Sequence, residues 1–148
     1  MIGIASDHGG FKLKKEIERY LDENNIEYKD YGTDTEERTD YPIYAEKVAK
    51  AIQKKECNLG ILICRSGYGM AIVANKFKGI RAASIIDEES AKYAKSDDDV
   101  NVLALGGDYI PADKAIRIIR IWLGTEFKGG RYQDRLKLIE EIEKENMK

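Results

Sequence analysis

The segment from residue 59 to residue 77 constrains the fold most strongly, because an apolar run of strand length passes directly into a glycine-spaced turn. Residues 59–64 are apolar or glycine, and Gly67 and Gly69 follow at once. The apolar residues behind the turn recur at helical spacing, at Met70, Val73, Ala74 and Phe77. This pattern predicts a buried strand, a tight turn and a helix, which is the repeating unit of parallel α/β sheets.

The rest of the chain repeats this alternation of strand and helix. Pro42, Asp87 and Pro111 are start signals for three further helices, and a glycine pair precedes a last helix that starts near residue 131. No repeat, linker or low-complexity segment interrupts the pattern, which predicts one α/β domain over residues 1–148 with a five-stranded parallel sheet. The other strands are predicted at residues 2–6, 26–31, 81–86 and 100–105.

Composition excludes several functional classes. The formal net charge of -2 gives no support for nucleic-acid binding. No apolar run approaches the length of a membrane span, and the first residues start a strand without a signal-peptide pattern. Cys57 and Cys64 are too few for a disulfide scaffold, and with a single histidine they do not suggest a zinc site. We therefore expect a cytoplasmic domain with no metal, cofactor, nucleic-acid partner or membrane contact.

Candidate functional residues follow the strands, because ligands of open parallel sheets bind outside the carboxyl ends of the strands. Asp7 and His8 follow the first strand, and Cys64 ends the third. A helix N-terminus behind the glycine turn, together with the charge of Arg65, would favour the thiolate form of Cys64. The alternative interpretations are a buried structural cysteine and an aspartate that only caps a helix.

The last predicted helix carries two arginines on one face. Arg131 and Arg135 are four residues apart, and Tyr132 lies beside them. Planar guanidinium groups suit phosphate recognition. The alternative interpretation is a pair of solvated arginines on a polar helix face.

Many short motifs occur in the order found in one enzyme family. With these motifs the chain resembles the ribose-5-phosphate isomerase type B family, which includes galactose 6-phosphate isomerases, and the resemblance extends nearly end to end. The motifs are Ser6-Asp7-His8-Gly9-Gly10, Arg38-Thr39-Asp40-Tyr41-Pro42, Gly60-Ile61-Leu62-Ile63-Cys64, Gly67-x-Gly69, Ala74-Asn75-Lys76, Gly79-Ile80-Arg81-Ala82, residues 101–106 and Gly129-Gly130-Arg131.

The resemblance implies a Rossmann-like three-layer α/β/α sandwich that works as a homodimer or homotetramer with a shared active site. It implies an isomerase that interconverts D-ribose 5-phosphate and D-ribulose 5-phosphate through an enediolate, in the non-oxidative pentose phosphate pathway. Cys64 would be the base and Ser66 would help to stabilise the enediolate. The substrate-binding residues would be Asp7, His8, Tyr41, Gly67, Gly69, Met70, Asp98, Arg131 and Arg135.

Four positions depart from the family pattern. Arg65 replaces a glycine, and Asp97 stands where a histidine assigned to ring opening is usual, so we expect Asp97 to serve as the third catalytic residue. Asp108 stands where an arginine often contacts phosphate, and Tyr132 replaces a histidine. The alternatives are therefore an isomerase of allose or galactose 6-phosphate type, or a non-catalytic sugar-phosphate-binding paralogue. For a dimer, we expect the apolar face of the helix at residues 111–123 to serve a partner as well as the core.

Overall fold

The computed structural model describes residues 1–147, which form a five-stranded parallel sheet with helices on both faces. A 3-10 helix, His8–Gly10, connects the first strand to the first α-helix. The elements in chain order are β1 Ile2–Ser6, α1 Phe11–Glu23, β2 Tyr28–Asp30, α2 Tyr41–Gln53, β3 Leu59–Cys64, α3 Tyr68–Ala74, β4 Ala82–Ser84, α4 Glu88–Asp98, β5 Val102–Gly106, α5 Ala112–Gly124 and α6 Arg131–Asn146.

The strand order places a binding crevice between β1 and β3. The order across the sheet is β2-β1-β3-β5-β4, and every pairing is parallel. The chain leaves β1 toward one edge of the sheet and leaves β3 toward the other. Such a reversal opens a crevice at the carboxyl ends of the two strands. Asp7, directly after β1, and Cys64, at the end of β3, both lie at this crevice.

Side-chain alternation along the strands builds two apolar layers, one on each face of the sheet. Ile61 and Ile63 belong to the layer under α1 and α5, whereas Leu62 and Cys64 belong to the layer under α2 and α3. Trp122 of α5 is fully buried, and its indole N–H donates to the carbonyl of Val100 at 2.9 Å. The predicted three-layer sandwich and its five-stranded parallel sheet are confirmed.

The apolar face of α5 is used by the core. Ala115, Ile118, Ile119 and Trp122 are all fully buried within the chain itself. The expectation that this face also serves a partner is therefore wrong for these residues. Many of the exposed large apolar side chains lie near the carboxyl ends of the strands or along α6, and these include Tyr68, Ile72, Ile86, Tyr109, Leu138, Ile139 and Ile142.

The two edge strands are shorter than the sequence predicted. Residue 26 was assigned to β2, but the N–H of Ile26 donates to the carbonyl of Leu21 at 2.9 Å and so closes the end of α1. Residues 81–86 were assigned to β4, of which three residues form the strand. Edge strands have only one neighbour to pair with, so local turns shorten them at either end.

The helix after the glycine turn also ends earlier than predicted, at Ala74 and not near Phe77. The next residue, Asn75, turns its side chain to the outer edge of β4. Its Oδ1 accepts from the N–H of Ala82 at 2.8 Å, and its Nδ2 donates to the carbonyl of Ala82 at 2.9 Å. The amide of Asn75 therefore satisfies both backbone groups that an additional strand would use at Ala82.

Candidate active site

Cys64 lies at the carboxyl end of β3 with a backbone N–H directed at its sulfur. The N–H of Gly67 donates to Sγ at 3.2 Å, and the side chain is buried. Gly67 has a φ of 84°, in the left-handed region that glycine adopts without a Cβ penalty. The carbonyl of Gly67 accepts from the Ser84 hydroxyl at 3.1 Å, which holds the turn against β4. The turn thus places a fixed donor on the thiol.

Ser66 and the first turn of α3 form the neighbouring wall. The Ser66 hydroxyl accepts from the N–H of Tyr68 at 3.2 Å. The N–H groups of Gly69 and Met70 belong to the first helical turn, where no intrahelical acceptor is in reach. The side chain of Met70 is fully buried in the core, so only its backbone can meet a ligand. These N–H groups can stabilise a negative oxygen.

A cavity of about 290 Å³ brings together six residues from the two strand ends and from the start of α2. Asp7 is buried, and its Oδ1 is held by the N–H of Gly10 at 3.2 Å, so its carboxylate has a fixed orientation. Five of the six were predicted as site residues, and Arg65 was noted only for its charge beside the thiol. The lining residues are Asp7, Tyr41, Cys64, Arg65, Ser66 and Gly69.

His8 is held at the same edge by a contact that sequence reasoning missed. Its Nδ1 lies 3.2 Å from the N–H and 3.1 Å from the carbonyl oxygen of Thr39. The Thr39 hydroxyl lies 3.0 Å from the hydroxyl of Tyr44, and hydrogen bonds from Thr39 and Thr33 lower the pKa of that tyrosine. The only sequence signal for this contact is that Thr39 belongs to the motif at residues 38–42.

A buried polar cluster lies next to the carboxyl end of β1 and holds the loop that follows β2. The side chain of Lys14 is fully buried, and its Nζ donates to Asp30 at 2.7 Å and to the carbonyl of Thr33 at 2.6 Å. The N–H of Thr33 in turn donates to the carbonyl of Ser6 at 2.7 Å. Lys14 therefore ties the loop after β2 to the end of β1, one residue before Asp7.

Glu18 lies beside this cluster and is also buried. Its carboxylate accepts from Lys15 at 3.2 Å. Burial, followed by the neighbouring carboxylate of Asp30, raises the pKa of Glu18 from 4.5 to about 7. Glu18 is thus a buried carboxyl group that titrates near neutral pH.

Asp97 and Asp98 lie at the opposite end of the sheet, near the amino ends of the strands. They belong to the last turn of α4, which begins near the carboxyl end of β4 and returns to the amino end of β5. Lys128 donates to Asp97 at 2.9 Å and Ser96 donates to it at 3.0 Å. The bond from Lys128 is the main cause that lowers the pKa of Asp97. Asp97 is therefore a carboxylate at neutral pH and a weaker base than a free aspartate.

Arg131 and Arg135 lie beside Asp97 and not beside Cys64. The N–H of Lys128 donates to the carbonyl of Ser96 at 2.9 Å, which joins the start of α6 to the end of α4. Both guanidinium carbons lie 5.2 Å from the ring centre of Tyr132, and the Lys128 ammonium lies 4.9 Å from it. We call Asp97, Lys128, Arg131, Tyr132 and Arg135 the α6 cluster.

One chain does not bring the α6 cluster to the thiol. Cys64 is in register with Gly106, the last residue of β5, whereas the α6 cluster lies near the first, Val102. Val102 and Gly106 are four residue steps apart along β5, which corresponds to about 13 Å. The sequence-predicted site is therefore divided between the two ends of the sheet.

Residues 1–147 carry neither a metal-binding cluster nor a membrane-spanning helix. They contain no group of three or more His, Cys, Asp or Glu side chains arranged to hold a metal ion. None of their helices is both long and apolar enough to cross a membrane.

Comparison with known proteins decides the family. The Ribose/Galactose Isomerase family profile matches residues 2–139. The chain belongs to this family. Ribose-5-phosphate isomerase B of Escherichia coli is 45% identical over 142 residues, which cover 96% of this chain and 95% of that protein. The resemblance seen in the sequence motifs is thereby confirmed.

Solved structures of family members share the fold over nearly the whole length. Ribose-5-phosphate isomerase B of Clostridium thermocellum superimposes with a TM-score of 0.95 at 45% identity, with 97% of each chain covered. The enzyme of Mycoplasma genitalium, solved with bound ribulose-5-phosphate, gives a TM-score of 0.93 at 39% identity, with 98% of this chain and 97% of that chain covered. The Ribose/Galactose Isomerase fold is thus present here without a large insertion or deletion.

Proposed function

We propose that this family member is an isomerase that interconverts D-ribose 5-phosphate and D-ribulose 5-phosphate in the non-oxidative pentose phosphate pathway. The observation that carries the proposal is the thiol of Cys64, which lines one cavity with Asp7 and Ser66 and accepts an N–H from Gly67. The names of the Escherichia coli and Mycoplasma genitalium relatives support this substrate pair.

Cys64 is proposed as the base that moves a proton between C1 and C2. As a thiolate it takes the proton from C2 of the open-chain aldose, and the electron pair moves onto the carbonyl oxygen to form the enediolate. The ketose forms when the O2 hydroxyl proton moves to O1 and the proton held by Cys64 is returned to C1. The N–H of Gly67 is directed at the sulfur before substrate binds, and Cys64 can act as the base in both directions.

The enediolate oxygen is proposed to bind at the start of α3. Ser66 offers a hydroxyl there, and the N–H groups of the turn from Gly67 to Met70 surround it. Such donors are fixed by the backbone and do not reorganise as charge develops. In other enzymes the removal of one donor of this kind costs about 10²–10³ in rate.

The remaining contacts are assigned to the sugar and its phosphate. Asp7, His8 and Tyr41 lie at the edge that carries Cys64 and are proposed to bind hydroxyl groups and phosphate. Arg131 and Arg135 are proposed to complete the phosphate site, with Asp98 close to them. Because these arginines lie at the opposite end of the sheet, they must come from a second copy.

We therefore infer a homodimer or homotetramer in which each site draws on two chains. Exposed apolar side chains near the cavity support a contact with a second copy, since large exposed apolar patches mark interaction surfaces. Tyr68, Ile86 and Tyr109 surround the carboxyl edge, and Leu138 and Ile142 lie along α6. An isologous pairing of these surfaces would bring the α6 cluster of each copy toward the thiol of the other.

Asp97 is proposed to accept the proton when the furanose ring opens. Its ion pair with Lys128 keeps it ionised but makes it a weak base. We therefore expect ring opening, and not proton transfer at carbon, to limit kcat. Both cysteines are unpaired, which fits the reducing cytoplasm in which we propose that the enzyme acts.

Turnover of a panel of sugar phosphates by the purified protein tests the proposal. We expect the highest kcat/KM with ribose 5-phosphate. A preference for allose or galactose 6-phosphate would replace this substrate assignment with the hexose one. Binding without turnover of any member of the panel would identify a non-catalytic paralogue.

A further inference from the structure

We propose that Arg65 is a specificity-determining residue whose guanidinium binds the phosphate group of the substrate. The inference rests on the proposed function of the same site. Arg65 lies between the proposed base, Cys64, and Ser66, and it lines their cavity.

The aliphatic part of the Arg65 side chain packs against the loop after β1. A Cβ added at Gly9 would lie 2.6 Å from Cγ of Arg65 and 3.4 Å from its Nε. A side chain at residue 9 would therefore force the arginine stem to move from this position. Gly9 directly follows His8, so the guanidinium is carried to the part of the site where His8 and Asp7 are held.

The charge of Arg65 is available to a ligand. In residues 1–147 its nitrogens have no carboxylate oxygen within 4.0 Å, whereas Arg19 and Arg81 each have one carboxylate partner and Arg117 has two. Two acidic residues lie near it. A Cβ added at Gly9 would lie 3.4 Å from Oδ1 of Asp7 as well, and the N–H of Asp108 donates to the carbonyl of Arg65 at 3.0 Å. Neither carboxylate is within 4.0 Å of the guanidinium nitrogens in residues 1–147.

The position favours phosphate over the enediolate as the group bound. The enediolate already has the N–H groups of α3 and the Ser66 hydroxyl, whereas the stem of Arg65 turns toward Gly9. A guanidinium presents two parallel donors that match two phosphate oxygens. Asp108 brings a negative charge to the same edge, and Arg65 supplies a positive charge from the same chain to offset it.

Steady-state kinetics of two Arg65 variants test this assignment. Arg65→Ala is expected to raise KM for ribose 5-phosphate by about ten-fold, the size of a lost charged hydrogen bond, while kcat changes by less than about three-fold. The inhibition constant of inorganic phosphate should rise in parallel. Arg65→Lys, which keeps the charge but loses the paired donors, should lie between Arg65→Ala and the wild type.

Arg19→Ala is the matched control, because Arg19 is an exposed arginine on α1 that pairs with Glu16. It should leave both constants unchanged. Equal midpoints of thermal unfolding for the wild type and both Arg65 variants would show that the comparison is made on folded protein.

The outcomes separate the two proposals. An active wild type whose KM and phosphate inhibition are unchanged in Arg65→Ala overturns the role of Arg65 and leaves the proposed function standing. A fall in kcat with KM unchanged also overturns it, because Arg65 would then act at the reacting carbons. If the wild type turns over no sugar phosphate, the proposed function fails. Calorimetry with inorganic phosphate then decides on Arg65 alone, and equal affinity in wild type and Arg65→Ala overturns it.

Discussion

The two ends of the sheet hold the site residues in different ways. At the carboxyl end, Cys64 and Asp7 are buried, and each accepts a hydrogen bond from a backbone N–H. At the amino end, the α6 cluster consists of long side chains on helix ends, held mainly by one another around Tyr132. One region is positioned by the backbone and the other by side-chain charge.

This difference matches what each region is proposed to do. Proton transfer between two carbons needs donors and acceptors placed to within a fraction of an ångström, which a strand end and a tight turn supply. Phosphate binding needs positive charge and hydrogen-bond donors, and it tolerates the adjustment of long side chains. We therefore assign proton transfer between the carbons to the carboxyl end, and ring opening and part of the phosphate binding to the α6 cluster of a second copy.

The largest effect on activity is expected from removal of the Cys64 thiol. Cys64→Ala should lower kcat by about 10²–10⁴-fold, the usual contribution of a general base, while the protein stays folded. Kinetics and circular dichroism check both parts. Cys57→Ala removes the other buried cysteine, which contacts Tyr31 and not the cavity, and should be nearly silent. Substantial activity in Cys64→Ala would move the base elsewhere, with Asp7 as the next candidate.

The second prediction tests whether Cys64 of one copy shares an active site with Arg131 and Arg135 of another copy. Cys64→Ala and the double variant Arg131→Ala/Arg135→Ala should each be nearly inactive. Refolded together in equal amounts, they should recover roughly a quarter of wild-type activity, because half of the dimers are hybrids with one complete site. No recovery, or a fully active monomer in sedimentation, would refute the shared site.

The third prediction concerns the negative charge of Asp108, which lies beside the carboxyl end of the sheet. Asp108→Arg should lower KM for ribose 5-phosphate by about three- to ten-fold with little change in kcat, because it replaces repulsion of the phosphate by attraction in partly screened surroundings. Glu23→Arg makes the same charge change at an exposed position at the end of α1 and is the control. An unchanged or higher KM in Asp108→Arg would mean that Asp108 does not face the phosphate.

The smallest effect is expected on stability, from a change at Glu18 beside the buried cluster of Lys14 and Asp30. The pKa of Glu18 in the folded protein is about 7, above its ordinary 4.5, so its ionisation opposes folding as pH rises between these values. Glu18→Gln should therefore raise the free energy of unfolding by about 1–2 kcal/mol near pH 8. The gain should shrink near pH 5, where Glu18 in the folded wild type is already protonated.

Urea unfolding at both pH values measures this difference. Glu16→Gln, on the same helix but exposed, is the matched control and should show no such pH dependence. A gain from Glu18→Gln that is equal at both pH values would contradict the assignment of the buried titration to Glu18.

Much of the fold could be predicted because its central strands are continuous apolar runs. β1 and β3 were located correctly, since a strand buried on both faces needs apolar residues throughout. The limits of β2 and β4 could not be predicted, because they depend on contacts such as the bond from Ile26 to Leu21. Periodicity does not report which backbone groups find a partner.

The site was predictable in part for the same reason. Asp7, Cys64 and Ser66 follow from the rule that parallel sheets bind ligands at their carboxyl ends. The supports were not predictable, because Lys14 meets Thr33 across 19 residues and His8 meets Thr39 across 31. Lys14 did leave a signal, since it shares one helix face with Ile17, Glu18 and Leu21, an unusual place for a lysine.

The amide of Asn75 has a consequence for how copies of this chain can assemble. By occupying both backbone groups of Ala82, it removes one of the positions at which a foreign strand could pair with the β4 edge. Strand addition by another copy is therefore disfavoured at that position. Association through helix and loop side chains gives a closed assembly when the contact is isologous.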